Sequence, residues 1–196
     1  MSTRSDAIVV VSGLPRAGTS LVMQMIEAGG VPILADGVRC ADEDNPRGYY
    51  ELEAVKGIAR DASFLAEAPG RAVKIVTPLL TSLPPEFAYR VILVERDLGE
   101  VMASQRAMMT RRGTGDGADD GAMRRAFESA LVRARAWLDA AEEVETLHVA
   151  HRALVTTPRD EARRIAAFVG VGVEDVERIE VMAAIVDTKL HRQRSD

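Results

Sequence analysis

The chain has 196 residues, a formal net charge of −5 at pH 7 and a hydrophobic fraction of 47%. This length fits one domain over residues 1–196, with enough apolar side chains to build a core around a sheet. The acidic balance excludes a general attraction to nucleic acid or to an anionic membrane surface, so we expect neither as a partner. Cys40 is the only cysteine, which excludes an internal disulfide and a zinc-type cysteine cluster.

The N-terminal residues are polar and carry both charge signs, unlike the apolar segment of a secretion signal. No apolar run approaches the length that spans a bilayer. We therefore expect a soluble, cytoplasmic protein, and the sequence does not indicate its oligomeric state.

Short apolar runs alternate with segments of helical periodicity along the chain. The apolar runs predict strands over residues 7–12, 72–76, 89–95 and 146–150. Helical spacing predicts helices over residues 19–28, 50–65, 98–112, 122–143, 158–170 and 173–186, with Thr157 as a cap before Pro158. This alternation predicts right-handed crossovers and a three-layer α/β/α fold with a central parallel sheet. Ligands of such folds bind beyond the carboxyl ends of the strands.

Residues 13–20, which we call the phosphate loop, lie between the first predicted strand and the helix that follows it. They read Gly-Leu-Pro-Arg-Ala-Gly-Thr-Ser, the spacing of a Walker A loop with Thr19 in place of the lysine. Glycines let backbone N–H groups converge on an oxyanion, and the helix start adds its positive end. The hydroxyls of Thr19 and Ser20 can donate to the same oxygens, and Arg16 can supply the missing positive charge.

Residues 15–20 resemble the 5′-phosphosulfate loop of sulfotransferases, commonly Pro-Arg-Ser-Gly-Thr followed by serine or threonine. Ala17 stands where that family usually has serine. The resemblance implies a P-loop-like fold and a metal-free site for 3′-phosphoadenosine 5′-phosphosulfate (PAPS) as cosubstrate. It also implies that Arg16 stabilises charge on the bridging oxygen. The expected cofactor-binding residues of this loop are Pro15, Arg16, Ala17, Gly18, Thr19 and Ser20.

A second candidate site follows the third predicted strand, where Arg96 ends the strand and Ser104 comes eight residues later. An arginine at a strand end and a serine two turns into the next helix can converge on one phosphate. The pair resembles the 3′-phosphate motif of sulfotransferases, so both are expected to bind PAPS. Many family members end in an Arg-Lys-Gly loop that closes over the 3′-phosphate. This chain lacks the loop, and Arg192 and Arg194 are the expected partial substitutes.

Lys74 and the segment after it resemble the strand end that carries a catalytic lysine in cytosolic sulfotransferases. In those enzymes a histidine base lies two positions further on, where this chain has Val76. The histidine mechanism therefore does not carry over. Positive charge on the leaving oxygen remains the expected role of Lys74, together with Arg16.

The general base is expected in the loop after the first helix, residues 36–51, because some sulfotransferases carry a catalytic glutamate in that region. The loop ends in Asn-Pro-Arg-Gly-Tyr-Tyr-Glu, which resembles a branch of bacterial sulfotransferase-like proteins. Glu51 is the first candidate for the base, and Glu43 and Asp44 follow. The two tyrosines, Tyr49 and Tyr50, either line an acceptor pocket or contact the core.

Together these motifs predict sulfuryl transfer from PAPS to a hydroxyl or amine of a small-molecule or carbohydrate acceptor. Two alternatives stay open: a non-catalytic nucleotide-binding relative, and a P-loop kinase-type phosphotransferase. The second alternative needs a carboxylate for magnesium, for which Asp97 at the end of the third strand is the candidate. His148 and His151, at the end of the fourth strand, are weaker candidates for a catalytic role than Glu51.

Overall fold

The computed structural model describes residues 7–42, 45, 48–114 and 119–186. Its centre is a four-stranded, fully parallel sheet with the strand order β2-β1-β3-β4. The strands are β1 (Ile8–Gly13), β2 (Ala72–Lys74), β3 (Tyr89–Glu95) and β4 (Val144–Ala150). This confirms the predicted parallel sheet, although β2 is shorter than predicted and β4 begins before residue 146.

Helices cover both faces of this sheet. They are α1 (Thr19–Ala28), α2 (Thr77–Leu80), α3 (Leu98–Arg111), α4 (Asp120–Ala140), α5 (His151–Thr156), α6 (Pro158–Val169) and α7 (Val176–Ala184). Val9 and Val11 of β1 face the core formed with α1, α6 and α7. Ile8 and Val10 face the opposite core, formed with α2 and α4. Since both faces are buried at the centre of the sheet, β1 and β3 are largely continuous apolar runs, whereas the outer strand β4 has polar residues along it and only Val149 is buried. The predicted three-layer P-loop-like fold is confirmed.

The strand register brings the carboxyl ends of the strands to one edge of the sheet. Gly13 of β1 lies opposite Val94 of β3, and Val11 lies opposite Lys74 of β2. Glu95 at the end of β3 lies opposite Ala150 of β4. The segments that follow all four strands therefore begin at this one edge, where ligands of open α/β sheets bind.

The predicted helix over residues 50–65 is wrong. The structure has two short 3₁₀ turns there, Glu53–Gly57 and Ser63–Glu67, joined by irregular backbone. Tyr50 has a φ of 55°, a left-handed conformation that an α-helix cannot include. The apolar residues that suggested a helix instead pack on the sheet through the turns, where Val55 and Leu65 are buried.

One helix and one helix cap also differ from the prediction. The six residues of α5 directly after β4 were not predicted as helix. Pro158 begins α6 as predicted, but the Thr157 side chain does not cap that helix. Its hydroxyl donates instead to the Ala153 carbonyl of α5 at 3.1 Å, so Thr157 closes the preceding helix. In the described part of the chain, no helix combines the length and the hydropathy that a bilayer crossing requires.

Candidate nucleotide and transfer site

The phosphate loop has the backbone geometry of an anion-binding turn. Arg16 and Gly18 both have positive φ angles, 69° and 104°, and the N–H of Ala17 donates to the Leu14 carbonyl at 3.0 Å. Left-handed residues within a turn direct successive N–H groups towards one point. No described side chain caps α1 at Gly18. The first-turn N–H groups of α1 are therefore the donors that an anion at this loop would meet.

His151, the first residue of α5, packs against this loop. A Cβ placed on Gly18 would lie 2.6 Å from the His151 Cδ2 atom and 3.5 Å from its Nε2 atom. The imidazole is largely buried, with 7% of the residue exposed. Sequence analysis gave His151 only a weak candidacy for a catalytic role. Its position directly after a strand, at the edge where the phosphate loop lies, is the feature that indicates a place in this site.

The structure brings Arg16, Arg96 and Ser104 together at the carboxyl edge of the sheet. The Arg16 Nε donates to the Ser104 hydroxyl at 3.0 Å, and the Arg96 Nη1 donates to the Arg16 carbonyl at 3.1 Å. The Arg96 Nε also donates to the Glu100 carboxylate at 2.8 Å. Glu100 is a residue of this site that the sequence reasoning missed, because an Arg–Glu pair four residues apart is common on exposed helix surfaces.

The end of the loop over residues 36–51, at Tyr49, contacts the phosphate loop. The two ends of the 36–51 loop are joined by a hydrogen bond from the Asp36 N–H to the Glu51 carbonyl, at 3.2 Å. The Ser20 hydroxyl donates to the Tyr49 carbonyl, also at 3.2 Å. This bond ties the predicted base-carrying loop to the predicted phosphate-binding residues.

Lys74 and Glu51 form an ion pair beside this contact. The Lys74 Nζ lies 3.1 Å from the Glu51 Oε1, and it also donates to the Tyr49 carbonyl. Arg39 lies 2.8 Å from the same Oε1 atom. Within the described residues, no group donates to the Glu51 Oε2 atom. Both of these contacts on the carboxylate thus converge on one oxygen, Oε1.

Burial and charge act in opposite directions on this pair. Burial lowers the pKa of Lys74, and the nearby Glu51 carboxylate partly offsets that effect. Burial alone would raise the pKa of Glu51, but Lys74 and Arg39 outweigh it, so the pKa of Glu51 is lowered. The positive charge of Arg16 also contributes to the lowered pKa of Lys74. Glu51 is therefore ionised at neutral pH, close to Lys74 and within electrostatic reach of the phosphate loop.

Tyr49 is a core contact rather than an open pocket wall. Its ring is buried, and the Arg39 guanidinium carbon lies 3.5 Å from the ring centroid. The Tyr49 hydroxyl donates to Asp42 at 2.6 Å, and Arg112, directly after α3, lies 2.8 Å from the same carboxylate group. These contacts fix the backbone whose carbonyl meets Ser20 and Lys74. Tyr50 is only partly buried, and its hydroxyl donates to Glu27 at 2.8 Å.

Four predicted site residues, Glu43, Asp44, Arg192 and Arg194, lie outside the residues that the structure describes. Asp97, the candidate for a magnesium ligand, accepts a hydrogen bond from the Glu100 N–H at 3.0 Å and caps α3. Across the described ranges, no three or more His, Cys, Asp or Glu side chains cluster in a way that could hold a metal ion.

Comparisons with known proteins show the fold. No protein-family profile and no curated protein matches the chain. Among solved structures, a sulfotransferase from Alicyclobacillus acidocaldarius is similar, with a TM-score of 0.50 and 14% identity, over 95% of this chain and 99% of that chain. An unliganded sugar kinase from Janibacter sp. HTCC2649 has a TM-score of 0.41 and 10% identity, over 93% of this chain and 99% of that chain. The similarity to the sulfotransferase structure supports the α/β, P-loop-like fold described above.

Proposed function

We propose that the chain transfers a sulfuryl group from PAPS to a hydroxyl or amine of a small-molecule or carbohydrate acceptor. The observation that carries the proposal is the shared Tyr49 carbonyl, which accepts from both Ser20 and Lys74. Through this carbonyl the phosphate loop, a buried cation and the Glu51 carboxylate form one cluster at the carboxyl edge of the sheet. The sequence resemblance to the 5′-phosphosulfate loop supports PAPS as the donor.

The cluster contains the groups that sulfuryl transfer needs. The acceptor oxygen or nitrogen attacks sulfur, and the new bond forms as the bond from sulfur to the phosphate oxygen breaks. That bonding pair leaves on 3′-phosphoadenosine 5′-phosphate (PAP), and the acceptor proton passes to the Oε2 atom of Glu51. Arg16, Lys74 and the N–H groups of residues 18–20 stabilise the charge that develops on the leaving oxygen.

The two contacts on the Glu51 Oε1 atom suit a general base. Lys74 and Arg39 orient the carboxylate and keep it ionised at neutral pH, which is the protonation state that a base requires. The Oε2 atom, to which neither Lys74 nor Arg39 donates, is the oxygen to which we assign the acceptor proton. The lowered pKa of Glu51 makes the carboxylate a weaker base, so catalysis depends on its position more than on its basicity.

Replacing Glu51 by glutamine tests this role. The assay measures PAP released from PAPS with a panel of phenol, sugar and amine acceptors, and calorimetry measures PAP affinity. We expect Glu51→Gln to lower kcat by roughly 10²–10⁴-fold with PAP affinity nearly unchanged. Glu53→Gln is the matched control, because Glu53 pairs with Lys56 on the exposed surface, and it should retain the parental rate. A Glu51→Gln variant with parental turnover would remove Glu51 from the mechanism.

A non-catalytic nucleotide-binding relative is the second candidate function. The double pairing of Glu51 favours it, because two cations that hold a carboxylate also suit a purely structural ion pair. PAP binding without turnover of any acceptor in the panel would favour this candidate. Binding of ATP that depends on magnesium would instead favour a phosphotransferase.

A further inference from the structure

Arg96 is already paired with a carboxylate at the position where the sulfotransferase resemblance expects it to meet a 3′-phosphate. Its Nε atom lies 2.8 Å from the Glu100 Oε2 atom, and the side chains of Arg96 and Glu100 are only 9% and 13% exposed. Water therefore screens this pair less than it screens an exposed pair four residues apart.

Local geometry holds Glu100 in this position. Asp97 caps α3 by accepting from the Glu100 N–H, which fixes the first helical turn. Side chains on a helix lean towards its N-terminus, so the Glu100 side chain leans back towards Arg96. A second Arg96 nitrogen donates to the Arg16 carbonyl, so the guanidinium bridges the phosphate loop and the start of α3.

We propose that Glu100 is a specificity-determining residue, whose carboxylate competes with the 3′-phosphate of the nucleotide for Arg96. This inference rests on the proposed function, because it concerns the nucleotide bound at the same site. A phosphate that approaches Arg96 meets the Glu100 charge at hydrogen-bond distance and must displace it. The chain then gains less affinity from a 3′-phosphate than Arg96 and Ser104 alone would provide.

The physical basis is competition between two anions for one guanidinium. Hydrogen bonds from arginine to carboxylate or phosphate are charge-assisted and stronger than neutral ones. A phosphate that replaces the carboxylate must break such a bond, which reduces the affinity that the phosphate gains. Two like charges beside one partly buried cation also repel each other. Glutamine at position 100 keeps the size and an oxygen acceptor for Arg96 but removes the charge, so a 3′-phosphate would displace it more easily.

The test compares PAP with adenosine 5′-phosphate (AMP), which lacks the 3′-phosphate, by calorimetry on the parental chain and on Glu100→Gln. We expect Glu100→Gln to bind PAP about tenfold more tightly, equivalent to about 1.4 kcal/mol, with less than about threefold change for AMP. Glu128→Gln is the matched control. Glu128 also pairs with an arginine four residues away, Arg124 at 3.8 Å, but on an exposed part of α4, and this variant should leave both affinities unchanged.

The comparison separates the inference from the proposed function. Equal gains for PAP and AMP would show a general charge effect and overturn the competition, as would unchanged affinity for both. Glu100→Ala, which removes the acceptor as well, provides a second variant that must move PAP affinity in the same direction. The parental chain could bind PAP and Glu100→Gln could show the selective gain in PAP affinity, while neither transfers a sulfuryl group. That result would contradict the proposed function and support this inference.

Discussion

Gly18 is a position of the phosphate loop where both the backbone conformation and the packing oppose an added methyl group. Its φ of 104° disfavours any residue with a Cβ, at a cost of roughly 1–2 kcal/mol. The added Cβ would also lie 2.6 Å from the His151 Cδ2 atom, and overpacking of this kind costs about 1–3 kcal/mol. We therefore expect Gly18→Ala to lower the free energy of unfolding by roughly 2–4 kcal/mol.

Urea denaturation of Gly18→Ala and of a control, Gly57→Ala, measures this cost. A Cβ on Gly57 would meet no atom within 4 Å, and Gly57 is not among the described glycines with positive φ. The control should therefore change the free energy of unfolding by less than about 1 kcal/mol.

A double-mutant cycle isolates the contact between the loop and α5. His151→Ala removes the ring that the new Cβ would strike, so Gly18→Ala should cost less in that background, by about 1 kcal/mol or more. The left-handed backbone cost remains in both backgrounds and cancels in the cycle. Strictly additive effects would refute the packing of His151 on Gly18 and, with it, the placement of α5 at the ligand edge.

Two further predictions concern pH and metal. The pKa of Glu51 is lowered from its ordinary value of 4.5 because Lys74 and Arg39 outweigh the effect of burial. Glu51 therefore contributes stability that is present above pH 4.5 and is lost as pH falls through the folded-state pKa. The urea midpoint of Glu51→Gln should fall less between pH 6 and pH 3 than that of the parental chain, and equal slopes would contradict the ion pair. PAP affinity measured by calorimetry should be the same in EDTA and in excess magnesium, whereas dependence on magnesium would favour the phosphotransferase alternative.

The sequence predicted the parts of the fold whose cause is local. The runs at Ile8–Gly13 and Tyr89–Glu95 are largely apolar because both faces of the sheet are covered. The phosphate loop follows from a glycine spacing between a strand and a helix. Buried strands require apolar residues, and the left-handed backbone at position 18 favours glycine. A single sequence is therefore enough to predict both features.

The sequence did not indicate which distant segments contact each other. Lys74 and Glu51 were both candidate site residues, but their ion pair joins segments whose spacing in the sequence does not indicate a contact. Tyr50, next to Glu51, has a left-handed backbone that no residue pattern indicates. Glu100 was missed for a related reason: only the fold shows that it pairs with Arg96 and that the pair is mostly buried.

The ion pair between Lys74 and Glu51 also determines how any substitution at either residue must be interpreted. Burial disfavours the charged form of Lys74, and Glu51 offsets part of that cost. Glutamine at position 51 would leave a buried ammonium with a neutral neighbour and would lower the pKa of Lys74 further. A loss of turnover in Glu51→Gln therefore assigns the base only where PAP affinity is retained, because a deprotonated Lys74 would also weaken the contact with the leaving group.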